Sequence, residues 1–476
     1  TLGIHTAHQD STPMIAIIGQ VNSRYRGREA WQEIDLTEFF SPMTKWTAEV
    51  KDVLRLPEIM HQAIYLAKTG RPGPVVLSIP EDVLTAVTEE PPFPSLDIRK
   101  PSLTDYGANN ILELLYQSQR PLIFAGGGVA HSDAREELLR FSEQMNIPVM
   151  SSFRRHDIFP NDHSNYVGNS GLGSFTEIIS TLEKADLIFA LGNRLSEIST
   201  QGYSFPTKEQ TVIHLDIDET VLVKQPFSST LSIVADAKLA LSQLLKRDLA
   251  RWVNPIHQVW AKERRTMYEK CLRERKNKRM AQKQDNLSME RIVEITQTCL
   301  PKNSIISSDA GTFFTWLANY FSVKKEQRYL GPTSGAMGYG LPSAIAAKMA
   351  FPEKTVVSLS GDGGFMMTLE ELETAARYQI PIISIVFNNN AYGAIRLHQE
   401  KQFPHRVIGS DLQNPPFDEL IRLFKGQGYK IQSHDEFQTV LQEALKSKLP
   451  TLIEIPMDIH YLSASSILKG EQLVNM

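Results

Sequence analysis

The stretch VVSLSGDGGFMM, residues 356–367, carries an apolar run straight into an aspartate set among glycines. Val356, Val357 and Leu359 form the kind of run expected of a strand covered on both faces. Asp362 follows almost at once, with Gly361 before it and Gly363 and Gly364 after it. Beyond the turn, FMMTLEELETAARYQ (365–379) predicts a helix, because Leu369, Leu372, Ala375 and Ala376 recur at helical spacing. Strand, glycine turn and helix make a phosphate site, where backbone N–H groups and the start of a helix face an anion. A carboxylate in that turn repels phosphate. A divalent cation between the two removes the conflict.

The next apolar run, PIISIVFNNN (381–390), ends in Asn388, Asn389 and Asn390. If the two strands are parallel and joined by the helix, their carboxyl ends share one edge of the sheet, where ligands bind. Asn389 lies 27 positions beyond Asp362. A carboxylate and an amide oxygen are hard ligands suited to Mg²⁺, which keeps phosphate oxygens and water as further partners. Other phosphate motifs fail. The chain contains no GxxxxGK[ST], GGGVAH (126–131) lacks the third glycine of GxGxxG, and GAMGYG (335–340) has the wrong spacing.

Composition narrows the class. At 476 residues the chain has room for about three domains of roughly 150 residues. The net charge of −4 implies no attraction to nucleic acid or membrane surfaces. Two cysteines, Cys271 and Cys299, supply neither a disulfide framework nor a CxxC metal site. No apolar run approaches the roughly 20 residues of a spanning helix. A cytoplasmic α/β enzyme is the expectation. Thr1 is not a methionine and TPMIAIIGQ (12–20) already reads as a core strand, so an upstream piece is expected.

Strand-like and helix-like patterns alternate in three stretches, which predicts doubly wound parallel sheets. The first, 1–88, has strands at MIAIIG and GPVVLSIP and a helix at LPEIMHQAIYLAKTG. The second, 102–247, has strands at PLIFAGGG, PVMSSF, DLIFALGN and TVIHLDID. The third, 288–465, has SIISSD, TVVSLSGD, PIISIVFNN and TLIEIPMD. TEEPPFPSLDIRKP (88–101) reads as an extended linker. The charged stretch 248–287, with RERKNKRMAQK (273–283) inside it, reads as a solvated helix and linker because both charge signs mix.

GDGGFMMTLEELETAARYQIPIISIVFNNN (361–390) resembles the thiamine diphosphate motif, and the whole chain resembles acetolactate synthase-like enzymes. DSTPMIAIIGQV, EAWQEID, GRPGPVVLSIPED and GAMGYGLPSAIAAKMA add to the likeness. The resemblance implies three domains: the remainder of a pyrimidine-binding domain, a central domain and a diphosphate-binding domain. It implies Mg²⁺ on Asp362, Asn389 and the carbonyl of Ala391. Gly363, Gly364, Ala310 and Gly311 would touch the diphosphate, and Gly361, Tyr392 and Gly393 complete the expected cofactor set. Met337 matches the apolar residue wedged beneath the thiazolium ring, and Gln32 a glutamine facing the site.

The implied activity is decarboxylation and carboligation of small 2-oxo acids. A simple decarboxylase, an aldehyde lyase and a binding protein without turnover stay open as alternatives. Where acetolactate synthases carry an acceptor-selecting tryptophan, this chain has His398, so a changed acceptor pocket and a surface histidine are both open. The central domain resembles one that holds FAD in acetolactate synthases and ADP or nothing in relatives. Arg71, Gly126, Gly127, Gly128, Asn193, Arg194, Asp216 and Asp218 are the flavin or nucleotide candidates. Family sites are shared between subunits, which implies a homodimer or homotetramer. The activating glutamate of the family is expected upstream of the position matching Gly3, since Asp10, Glu29 and Glu33 do not match it.

Overall fold

The computed structural model describes residues 1–224, 226–227, 229–280, 287–469 and 472–475. Its first sheet has three parallel strands, β1 (Met14–Gln20), β2 (Trp46–Glu49) and β3 (Pro74–Pro80), in the order β1-β3-β2. The central strand, β3, is buried at every position, which explains the unbroken apolar character of PVVLSIP. The helix Leu56–Lys68 carries Pro57 in its first turn, where the missing N–H costs nothing. It buries Ile59, Ala63 and Ala67 in one apolar cluster with Val75, Leu77 and Ile79.

Two six-stranded sheets follow. The second sheet contains β4 (Pro121–Ala125), β5 (Val149–Ser152), β6 (Tyr166–Ser170), β7 (Leu187–Leu191), β8 (Thr211–Asp216) and β9 (Leu231–Val234). Their order is β6-β5-β4-β7-β8-β9. The third contains β10 (Ile305–Ser308), β11 (Arg328–Leu330), β12 (Val356–Gly361), β13 (Ile383–Asn388), β14 (Gln427–Lys430) and β15 (Thr451–Pro456). Their order is β11-β10-β12-β13-β15-β14. Parallel ladders with interleaved helices make both sheets doubly wound, as the alternating pattern predicts. A small antiparallel sheet, β16 (Tyr461–Ser463), β17 (Ser466–Lys469) and β18 (Gln472–Asn475), was not expected.

The chain divides into two compact units. One comprises Thr1–Ser102 with Ile217–Glu219 and Val234–Asp236, and the other holds the rest, including most of both six-stranded sheets. Within the second unit a single apolar cluster runs from Leu122, Phe124 and Ile188 to Phe314, Trp316, Phe387 and Ile455. The two large sheets therefore share a core.

Residues 365–379 correct the sequence reading. The expected helix is broken into Asp362–Phe365 and Glu371–Arg377. Between them Thr368 donates its hydroxyl to Gly338 O at 3.1 Å, a tie to another loop that competes with helical continuation. The charged stretch does form a helix, Ile256–Met280; residues 281–283 of RERKNKRMAQK lie outside the described residues. Residues 86–104 have no regular secondary structure. Among the described residues no helix is long and apolar enough to cross a membrane.

Candidate active site

In the third sheet the chain leaves β10 toward β11 on one side, whereas β12 continues toward β13 on the other. The loops at the carboxyl ends of β10 and β12 thus diverge and open a crevice at a topological switch point. The β12–β13 ladder pairs Gly361 with Phe387, so Asp362 and Asn388 stand side by side one step beyond. The two strands are parallel, as the crossover argument required.

Asp362 is buried at 3% exposure. Its Oδ2 accepts Asn414 Nδ2 at 2.7 Å and the Ala391 N–H at 3.2 Å. The same Ala391 N–H lies 3.1 Å from Asn389 Oδ1, so the two oxygens expected to bind metal converge on one amide. Asn390, at φ +54°, turns the chain here, a conformation asparagine tolerates better than most residues. Residues 410–412 clamp the turn, since Tyr392 N donates to Ser410 O and Leu412 N to Asn390 O, each at 2.8 Å. Asn388 Nδ2 donates at 3.0 Å to the buried Glu454, which also meets Lys430 Nζ at 3.2 Å.

Burial raises the pKa of Asp362 above the usual carboxylate range, and the groups that hold it, Asn414 with the N–H groups of Gly363 and Ala391, are neutral. Among the described residues no group of three or more His, Cys, Asp or Glu is placed to hold a metal. A cation here would draw on one carboxylate with neutral amide and carbonyl oxygens. That donor set suits Mg²⁺ better than a softer metal.

The surrounding glycines have two causes. A Cβ on Gly363 would stand 2.7 Å from Tyr392 Cε1, and one on Gly364 would stand 2.6 Å from Asp309 Oδ2. Neighbouring side chains close those positions. Gly311, exposed at φ +150°, needs glycine for its backbone. Ala310 and Gly311 follow β10, and Gly393 sits beside them, where a Cβ would be 3.0 Å from Thr312 Oγ1. Gly361 meets Phe313 only at ordinary contact distance. Met337 is half-buried in the loop between Gly335 and Gly338, and the Gly338 N–H donates to Asp309 Oδ2 at 3.1 Å.

Sequence reasoning missed Asp309, Asn414 and Glu454. Asp309 ends SIISSD as Asp362 ends TVVSLSGD, and that parallel was a usable signal. Asn414 lies in a segment with no pattern.

The family model for the C-terminal TPP binding domain of thiamine pyrophosphate enzymes matches residues 309–455, and that for their central domain matches 108–244. A probable acetolactate synthase large subunit from Methanocaldococcus jannaschii is 34% identical over 472 residues, covering 96% of this chain and 78% of that protein. The acetolactate synthase isozyme 3 large subunit of Escherichia coli is 30% identical over 456 residues, covering 93% and 78%. The chain belongs to the acetolactate synthase large-subunit family of thiamine pyrophosphate enzymes.

The remaining candidate residues of this acetolactate synthase-family chain have settings of their own. Gln32 is exposed at φ +65° in the first compact unit. Arg71, in that same unit, donates to Ser11 Oγ at 2.8 Å and His8 O at 2.9 Å, and so holds the end of the helix Leu2–Asp10. His398 is exposed on the helix Gly393–Gln402. At the β4/β7 switch point, Gly126 and Gly128 press directly on Gly192 and Asn193, while Gly127 faces Arg155. Asn193 donates to Phe124 O at 3.2 Å and accepts the Leu195 N–H at 3.0 Å. Arg194 is half-buried and Asp216 buried at the end of β8, whereas Asp218 falls in the first unit.

Packing therefore accounts for two of the three glycines in GGGVAH. A Cβ on Gly126 would stand 2.3 Å from Gly192 O and 2.5 Å from Asn193 Cα, both backbone atoms. Gly126→Ala is expected to destabilise the protein by about 2 kcal/mol or more, since overpacking a core commonly costs 1–3 kcal/mol. Urea unfolding of the variant with an unchanged midpoint would show that this turn has room after all.

Proposed function

We infer that this chain carries out thiamine diphosphate-dependent decarboxylation and carboligation of 2-oxo acids, as an acetolactate synthase-like enzyme. The observation that carries this reading is the convergence of Asp362 and Asn389 at the adjacent carboxyl ends of β12 and β13, in a chain whose residues 309–455 match the TPP binding domain. Asp362, Asn389 Oδ1 and the Ala391 carbonyl would hold Mg²⁺. Backbone N–H groups of Ala310, Gly311, Gly363 and Gly364 would face the diphosphate, and Met337 would support the thiazolium ring. When bound, thiamine diphosphate supplies a nucleophilic carbon that adds to the substrate carbonyl and lets CO₂ depart. The protein's part is to fix the reacting groups and keep water out. Residues 1–88, 102–247 and 288–465 would serve as pyrimidine-binding, central and diphosphate-binding domains, with Gln32 contributed by the first.

Incubating the protein with a panel of 2-oxo acids, Mg²⁺ and thiamine diphosphate, and identifying products by mass spectrometry, tests the reading. No product from any donor, in protein that binds thiamine diphosphate and carries the activating glutamate, would refute it. For the central domain we propose a nucleotide at the β4/β7 switch point, with FAD the first ligand to test; the absorbance spectrum of purified protein decides. Related proteins are named as large subunits. We propose a homodimer or homotetramer, and a fully active monomer in sedimentation would contradict it.

His398 favours a second reading, a decarboxylase or aldehyde lyase of the same family, because it replaces the family's acceptor-selecting tryptophan. If the acceptor passes this helix, His398→Trp should shift the ratio of products from competing 2-oxo acids by about tenfold or more, the usual worth of a pocket change of about 1–3 kcal/mol. Decarboxylation itself should hold. Identical product ratios would return His398 to the surface.

A further inference from the structure

Asp309 is fully buried at the carboxyl end of β10. Its own N–H donates to Leu359 O at 2.9 Å, so its backbone still belongs to the β10–β12 ladder. Among the described residues its side chain forms no ion pair, although the nearby Arg154 guanidinium favours its charged form. One carboxylate oxygen accepts the Ala310 N–H at 2.7 Å, and the other accepts the Gly338 N–H at 3.1 Å. Gly364 presses on the carboxylate from a third side, close enough that a Cβ there would stand 2.6 Å from Oδ2. From behind, Arg154 Nη1 donates to Asp309 O at 3.0 Å and to Tyr329 Oη at 3.0 Å, with its guanidinium 3.7 Å over the Phe314 ring.

Three loops that are remote in sequence thus meet on one side chain. They are the turn at 310–311, the loop carrying Met337 and Gly338, and the turn at 363–364. An ionised carboxylate accepts N–H groups on both oxygens without offering a competing donor, whereas an asparagine must turn an NH₂ toward one of them. Burying that charge is costly, and burial pushes Asp309 up to about 6. A purely structural contact between apolar neighbours would not carry this cost.

We propose that Asp309 is a positioning residue, whose carboxylate sets the spacing between the Met337 loop and the two glycine turns. It thereby governs the fit of a ligand that must touch both. The proposal rests on the thiamine diphosphate reading, in which the diphosphate meets the turns and the thiazolium ring meets Met337.

Two probes separate the halves of the site: thiamine diphosphate spans them, and inorganic pyrophosphate reaches only the turns. Calorimetric titration of both, with Mg²⁺, compares wild type, Asp309→Asn and Thr368→Ala. Thr368 donates the other tie on Gly338, at 3.1 Å, and its variant tests the same spacing should Asp309→Asn not fold. Affinity for thiamine diphosphate should fall about tenfold further than affinity for pyrophosphate, in line with the cost of small misplacements at a reacting centre. Steady-state assays should show kcat falling while the substrate KM holds. Equal losses for the two probes, or none, in the variants that fold would overturn the proposal. Wild-type protein that binds pyrophosphate but not thiamine diphosphate would instead overturn the functional reading beneath it.

Discussion

Asp362→Asn should leave the ligand-free protein at least as stable as wild type and abolish its stabilisation by Mg²⁺ with thiamine diphosphate. The two effects have one cause. Burial disfavours the ionised carboxylate, and the donors that offset it, Asn414 Nδ2 with the N–H groups of Gly363 and Ala391, are neutral. Asparagine keeps an oxygen for them and removes the buried charge. It also removes the one anionic ligand in a donor set otherwise made of amide and carbonyl oxygens. At ligand about a hundredfold above Kd, wild type gains about 2.7 kcal/mol of stability that the variant lacks. Thermal unfolding of both proteins, with and without the ligands, reads both quantities. An equal ligand-induced shift in the variant would remove Asp362 from the metal site.

The second large effect is on acid stability. His156 is buried between Phe314 and Tyr329, with ring centroids 5.6 and 5.1 Å away, and among the described residues its Nε2 has no hydrogen-bond partner. Burial, with Arg154 and Arg155 nearby, pushes it down to about 3. An unfolded histidine titrates near 6.5, so between these values the unfolded chain holds a proton that the folded chain does not. Stability from this group is complete above about pH 7 and is lost as the pH falls, by about 1.4 kcal/mol per pH unit.

Asp309 acts in the opposite sense. Its folded value of about 6 exceeds the unfolded one of about 3.9, so the folded state keeps the extra proton and gains stability as the pH falls through that window. The two slopes oppose each other in wild type, which makes a difference measurement necessary. His156→Phe, which fits the aromatic surroundings, should gain on wild type by about 1.4 kcal/mol for each unit between pH 6 and pH 4. Urea unfolding at a series of pH values checks this. A constant difference from pH 7 to pH 4 would mean that His156 is protonated in the folded protein.

The strands that were legible and those that were not divide by position in the sheets. β3, β4, β5, β7, β8, β10, β12, β13 and β15 are all interior, and all were read from apolar runs. In the three parallel sheets β2, β6, β9, β11 and β14 were missed, and each is an edge strand; the small antiparallel sheet was missed as a whole, its central β17 included. An interior strand is covered by neighbours and helices and must be apolar throughout, whereas an edge strand such as QGYK of β14 owes its conformation to one partner's backbone. β1, an edge strand with an apolar sequence, was read for that reason alone.

The site divides in the same way. Local sequence by itself determined the strand ends that carry Asp362 and Asn389, because a strand–turn–helix–strand unit brings its own carboxyl ends to one edge. It also determined the resemblance that named the cofactor, through motifs 361–390 and 335–350. Only the tertiary structure decided that Asn414 would grip Asp362, that Asp309 would hold three loops together, and that Arg154 would reach across from the second sheet to anchor it. It also decided that Gly126 and Gly128 serve the packing of two turns. These contacts join segments dozens to more than a hundred residues apart, where no periodicity links the partners. They follow from the order of strands in the sheets, which the chain adopts only when its core closes.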